Sequence, residues 1–166
     1  MRSFWVVNTN PDHWEICEEG PKDQGVHGDN VGKPWHGLPE GSRPSSPKGV
    51  NRDDVFLVRQ TSRPGSESGV KGVWLFYDYA MVKSQKDVPE EWKRHEKKLR
   101  DYRWFIYCRP STRILSPLYK ENWSKLGIHH GRLTGTMIRL KEKEKRSYIE
   151  ELLRQGGSGG RYREPI

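Results

Sequence analysis

Cysteine is scarce in this chain: Cys17 and Cys108 are the only two in 166 residues. They stand far apart, which allows one bridge at most and no disulfide framework. No Cys-x-x-Cys occurs, and the six histidines stand at no zinc-ligand spacing to the cysteines. His129 and His130 are adjacent and project differently on any regular element. No metal site and no cofactor are therefore expected. The glycine patterns of the Rossmann and P-loop phosphate cradles are missing, as is Gly-x-Ser-x-Gly. No run approaches the roughly 18 apolar residues of a membrane span. The apolar start at residues 4–7 is broken by Asn8 before it can act as a secretory leader. These absences lead to the expectation of a cytoplasmic protein with no membrane partner and with reduced, dispensable cysteines. Carboxylates exist at Asp53, Asp54, Asp78, Glu90 and Glu91, but no spacing joins an acid, a base and a nucleophile. A binding module is expected, rather than an enzyme.

What is abundant is basic charge and aromatic rings. Thirty Lys and Arg face 22 Asp and Glu, a formal charge of +8, and the pI is near 9.5. Such a balance favours polyanionic partners, a nucleic acid or an anionic membrane surface. A solvated surface rich in Lys, Arg and Glu produces the same balance. Seven Trp and seven Tyr are either the bulk of a small core or part of a binding surface. The length suits one domain.

The stretch that organises the rest is residues 4–14, Phe-Trp-Val-Val-Asn-Thr-Asn-Pro-Asp-His-Trp. Its apolar run predicts a buried strand. The strand stops in Asn8-Thr9-Asn10, which brings side-chain amides and a hydroxyl to the rim of the core. Those groups can read a base edge, and they can equally make Asx-turns and cap the following turn. Residues 15–23 are polar and acidic. Residues 24–49 are rich in Gly, Pro and Ser and predict a loop, with Trp35 inside it between Pro34 and His36. A Trp there either pins the loop or walls a pocket.

Strands are expected at 54–60 and 70–82, paired as a hairpin, with Gly72 marking a bulge or a close backbone approach. Residues 83–103 are highly charged. A helix over 89–99 would gather Trp92, His95 and Leu99 on one face, and a charged loop accounts for the segment as well. Further strands are expected at 102–108 and 135–140, and a short one at 114–115. Short and terminal helices are expected at 119–126 and 141–155. Residues 156–166 read as a flexible tether. Strand clusters without strict β-α alternation argue an α+β fold, a curved mixed sheet or small barrel of five or six strands with two or three flanking helices.

The order of these pieces resembles the PUA-like superfamily, in particular its YTH and EVE domains. The likeness is carried by Val7-Asn8-Thr9-Asn10 ending the first strand, Trp35 in the following loop, and the Gly-Val steps at Gly69 and Gly72. Trp92 in the charged segment and the strand Tyr-Arg-Trp-Phe-Ile-Tyr-Cys-Arg-Pro at 102–110 complete it. Asn10-Pro11-Asp12 is similar to the Pro-containing turn that opens EVE domains, with Thr9-Asn10 where Ser-Glu is usual. His36 follows the Trp where YTH domains have Cys or Ser. The resemblance runs over most of residues 2–155 and implies one nucleic-acid-binding domain at 1–155. It implies a module that flips a methylated base into an aromatic cage, in DNA rather than RNA. Trp35 and Trp92 are then the cage walls, and Thr9 and Asn10 read the base edge. It also implies the front of an McrB-type restriction system, with a motor domain and a nuclease subunit as partners. The phosphate-binding candidates are Arg43, Lys48, Arg52, Arg59, Arg63 and Lys71, on the premise that their loops share a face. As a loop Trp facing solvent, Trp35 should support little of the core. Trp5, Trp74, Trp104 and Trp123 are expected to be core. The competing readings are a PUA-like RNA-binding domain, an enzyme, and a protein-interaction domain with an aromatic groove.

Overall fold

The computed structural model describes residues 2–60, 69–94, 100–111, 123, 126–128, 133 and 135–155. The expected strand at 114–115, most of the helix at 119–126, Arg63, His95, Leu99 and the tail 156–166 lie outside them. Among the described residues there are six strands: β1 (Phe4–Thr9), β2 (Trp35–Pro39), β3 (Val55–Gln60), β4 (Gly69–Met81), β5 (Tyr102–Pro110) and β6 (Met137–Arg139). The helices are α1 (Trp14–Glu19), α2 (Gln24–His27), α3 (Glu90–Arg94) and α4 (Glu142–Gln155). One mixed sheet holds all the strands in the order β2-β5-β4-β3-β1-β6.

β1 lies parallel to β3 and antiparallel to β6. β3 and β4 form the expected hairpin pair, with a bulge after Val58 where the partner strand passes from Gly72 to Val70. Gly72 also takes the edge of the Trp14 ring, which stacks on Trp74 at 5.6 Å; a Cβ there would stand 2.8 Å from the Trp14 ring. A buried carboxylate joins the starts of β1 and β3. Asp54 accepts the Ser3 N–H at 3.0 Å, the Trp5 indole N–H at 3.2 Å and the Asn51 N–H at 3.0 Å, so its charge is hydrogen-bonded rather than stranded.

The segment 24–49 was expected to be loop, yet it contains α2 and β2. β2 pairs antiparallel with β5 from Trp35 to Pro39. Its sequence, Trp-His-Gly-Leu-Pro, has no β-branched residue and ends in proline, which an edge strand tolerates. The acidic stretch after Trp14 is helical in α1. Four α-helical segments therefore appear among the described residues, because two short ones arise where the sequence reads as loop.

The sheet curls until its edges meet. His36 on β2 reaches the Asn8 carbonyl on β1 at 3.0 Å, and Met137 N–H on β6 donates to the Arg43 carbonyl just past β2 at 3.2 Å. Alternation along the strands sorts two cores. Phe4, Val6, Val55, Leu57 and Leu75 pack with Trp123, Leu133 and Tyr148 beneath α4. Trp5, Val7, Phe56, Trp74, Trp35, Trp92 and Phe105 pack on the other face. α4 starts with Glu144 reaching back to accept the Lys141 N–H at 2.8 Å, a capping contact. Trp5, Trp74 and Trp123 are buried as expected; Trp104 is only half-buried.

Candidate nucleic-acid interface

The polar end of β1 divides its side chains between the two faces. Thr9, 3% exposed, joins the aromatic face. There Cys17 of α1 lies in contact with both Thr9 and Trp92. Burial pushes the Cys17 thiol up to about 12, against the hydrogen bonds from Thr9 and Trp92, so it stays an uncharged thiol. Cys108 is likewise buried and free, and burial raises its thiol as well.

Trp35 is the first residue of β2, not a loop residue, and it is 4% exposed. Its indole N–H donates to the Ile16 carbonyl at 2.9 Å. Its ring meets Trp92 at 4.7 Å, Phe105 at 5.4 Å and His27 at 5.0 Å. The expectation that it supports little core is therefore corrected, since packing on β5 buries it completely. Trp92 sits in the middle of α3, 2% exposed, against Tyr102 at 5.6 Å. Its indole N–H has no oxygen or nitrogen acceptor, only the weak Cys17 sulfur. Gly37 lets these rings approach the backbone of β2: a Cβ would stand 2.5 Å from the Tyr102 ring and 2.9 Å from that of Trp92.

His36 stacks on Trp92 at 6.4 Å. Its ring nitrogens face two carbonyls, Nε2 to Asn8 at 3.0 Å and Nδ1 to Gly37 at 2.8 Å. A neutral imidazole donates to only one of them. Burial nevertheless dominates and lowers its pKa to about 4, with the two carbonyl contacts acting in the opposite direction. His27, hydrogen-bonded to the Tyr107 hydroxyl at 2.7 Å, is lowered for the same reason.

Trp35, Trp92 and Thr9, the residues singled out by the resemblance, thus lie on one face. Cys17 and His36 complete the cluster, and neither signals its role in the sequence. Asn10 does local work: its side chain accepts the Asp12 N–H at 3.0 Å and its carbonyl the His13 N–H at 2.9 Å, an Asx-turn.

The basic candidates do not form one patch. Arg43 and Lys48 are exposed on the loop after β2. Arg52 lies before β3, its guanidinium 4.3 Å from the centre of the Tyr77 ring that Lys33 also approaches at 4.7 Å. Arg59 is at the far end of β3, 3% exposed, donating to the Asn8 Oδ1 at 2.9 Å. Its Nε has no partner, and burial lowers its proton affinity. Lys71 lies on β4, and Arg63 is outside the described residues. The premise that these loops share a face fails for Arg52 and Arg59, which flank opposite ends of one strand.

Among the described residues no group of three or more His, Cys, Asp or Glu is placed to hold a metal ion. No helix among them is long and apolar enough to cross a membrane.

No protein-family model and no curated protein matches the chain. Solved structures match in fold. Human THYN1 in complex with 5-methylcytosine-containing DNA aligns with a TM-score of 0.55 at 11% identity, over 90% of this chain and 97% of that one. The N-terminal domain of Thermococcus gammatolerans McrB bound to m5C DNA gives 0.52 at 14% identity, over 91% and 97%. A hypothetical protein from Leishmania major gives 0.53 at 11%, over 94% and 98%. The chain shares the α+β fold of these structures, the fold class that the order of its elements predicts.

Proposed function

We propose that this chain is a DNA-binding module that takes a methylated base into the aromatic face of its sheet. The observation that supports this reading is the convergence of Thr9, Cys17, His36, Trp35 and Trp92 at the polar end of β1. The PUA-like fold adds to it, because two of its structural neighbours are held with 5-methylcytosine DNA. A base drawn from its stack loses a few kcal/mol and recovers about 1–3 kcal/mol on each aromatic ring it meets. The Thr9 hydroxyl then offers a hydrogen bond to the base edge, while His36, held by the Asn8 and Gly37 carbonyls, backs Trp92. The rings of Trp35 and Trp92 are in contact, so an incoming base enters between them by swinging Trp92 aside, and that indole then closes on the base as the second ring it meets. That residue rides on a helix of five residues, and its indole N–H gives up no oxygen partner by moving. Trp35, fixed on β2 by its bond to Ile16, remains as the wall.

In this reading the chain performs no catalysis of its own. It is the targeting part of a methylation-dependent restriction system whose NTP-driven motor and nuclease lie elsewhere. The test is equilibrium binding to matched DNA and RNA oligonucleotides, each with and without a 5-methylcytosine. The expected result is a preference of tenfold or more for methylated DNA, about 1.4 kcal/mol. A preference for RNA, or equal binding of methylated and unmethylated DNA, overturns the proposal.

A further inference from the structure

Where the two edges of the sheet meet lies a polar recess of about 270 Å³, lined by Gly41, Ser42, Arg43, Arg100, Gly135 and Thr136. Its walls are the loop after β2, the residue before Asp101 at the start of β5, and the segment before β6. Arg43 and Arg100 are both exposed, and among the described residues neither guanidinium has a carboxylate partner. The nearby carboxylate of Glu40 is taken by Arg103 at 3.1 Å.

The wall carbonyls that would repel an anion are engaged elsewhere. Asn8 Nδ2 donates to the Leu133 carbonyl at 2.7 Å and the Gly135 carbonyl at 2.6 Å. The Thr136 carbonyl accepts the Asn8 N–H at 3.0 Å, and the Arg43 carbonyl accepts the Met137 N–H. Gly135 lets the walls close this tightly, since a Cβ there would stand 3.1 Å from the Arg43 carbonyl. Behind the wall, Arg59 adds a buried positive charge through its bond to Asn8, again with no carboxylate among the described residues. The recess is thus built from cations and small residues, which is what an oxyanion requires.

Asn8 also connects this recess to the aromatic cluster. Its side chain holds the recess wall, and its carbonyl faces Nε2 of His36, whose ring lies on Trp92. We propose that the recess seats a phosphodiester of the bound strand, next to the nucleotide whose base enters the aromatic face. This rests on the base-reading function proposed above. Arg43 and Arg100 hold the phosphate oxygens, and Arg59 adds charge from beneath.

The experiment measures binding of methylated and unmethylated oligonucleotides across a salt series, for the native chain, Arg43→Gln, Arg100→Gln and the pair. Each phosphate contact contributes close to one unit to the log–log salt slope. The expected result is a slope lower by about one unit per arginine and weaker binding of both oligonucleotides, with the methylated-to-unmethylated ratio kept. Thermal melts should stay unchanged, because neither side chain supports the fold. An unaltered salt slope overturns the phosphate seat, whether or not methyl preference survives. A lowered slope in a chain without methyl preference keeps the seat and removes the base-reading function. Amide resonances of Gly135 and Thr136 supply a second readout. They should shift with an oligonucleotide at far lower concentration than with inorganic phosphate alone. Equal response to inorganic phosphate makes this a free-phosphate site and overturns its role in strand binding.

Discussion

Phe4, Val6, Leu57 and Leu75 lie at 0% exposure on one face of the sheet, closed by α4 and Tyr148. The opposite face is equally buried but chemically mixed. Among its indoles and phenyl rings it holds Thr9, Cys17, His27 and His36. One face is packed chiefly from aliphatic chains, with the rings of Phe4, Trp123 and Tyr148 among them, and the buried Trp123 indole N–H has no hydrogen-bond partner among the described residues. The other contains donors and acceptors that the fold satisfies only in part, such as the Trp92 indole N–H and the second nitrogen of His36. Packing alone does not require such groups, and burying them costs free energy. The aliphatic face holds the sheet together, and in the function proposed above the polar groups of the aromatic face are the ones a base would meet.

Stability should be lost from both faces, and most from the largest buried groups. Trp35→Ala should cost about 3–5 kcal/mol and Leu57→Ala about 2–5 kcal/mol in chemical unfolding, as buried large-to-small changes do. A Trp35→Ala protein that melts like the native chain would contradict its placement in β2. Trp104→Ala should cost less than either, since that ring is half-exposed beside Tyr79.

The next effect belongs to the aromatic face alone. His36 titrates near 4 in the folded chain and near 6.5 when unfolded, and His27 is lowered in the same direction. Below pH 6.5 the unfolded state therefore binds protons that the folded state refuses. Stability is full above pH 6.5 and declines as pH falls toward 4, by about 1.4 kcal/mol per pH unit for His36. Urea unfolding at pH 7.5 and at pH 5 measures this, and His36→Gln should remove most of the difference. An equal slope in His36→Gln places the titration elsewhere.

The smallest expected effect separates the two thiols. Cys17→Ser and Cys108→Ser should each destabilise by about 1 kcal/mol, the common cost of a point change. Only Cys17→Ser should also alter methyl preference, because Cys17 contacts Thr9 and Trp92. An identical binding response from both variants removes Cys17 from the site.

Much of this was legible in the chain. Residues 4–7, 54–60, 70–82 and 102–108 announce β1, β3, β4 and β5 because apolar runs must be buried whatever surrounds them. Tyr148, Ile149 and Leu152 mark the inner face of α4 in the same way. β2 escaped notice because Gly37 and Pro39 are strand-breaking locally. Their place is decided by rings packing over Gly37 and by pairing with β5, which are tertiary facts. The contact of Cys17 with Thr9 and Trp92 was invisible because Cys17 stands in an acidic stretch and owes its position to α1. Arg43 was named from charge, but Arg100 and Gly135 join it only where the sheet's edges meet.

The division between the faces is tested most directly by the affinity ratio of methylated to unmethylated DNA in Trp92→Phe and Leu57→Val. Trp92→Phe keeps a ring but removes the larger indole from the aromatic face, and Leu57→Val trims the aliphatic face by one methylene. The ratio should fall severalfold in Trp92→Phe and stay at its native value in Leu57→Val, with both proteins folded. A ratio unchanged in Trp92→Phe, or lost equally in both variants, would contradict that division.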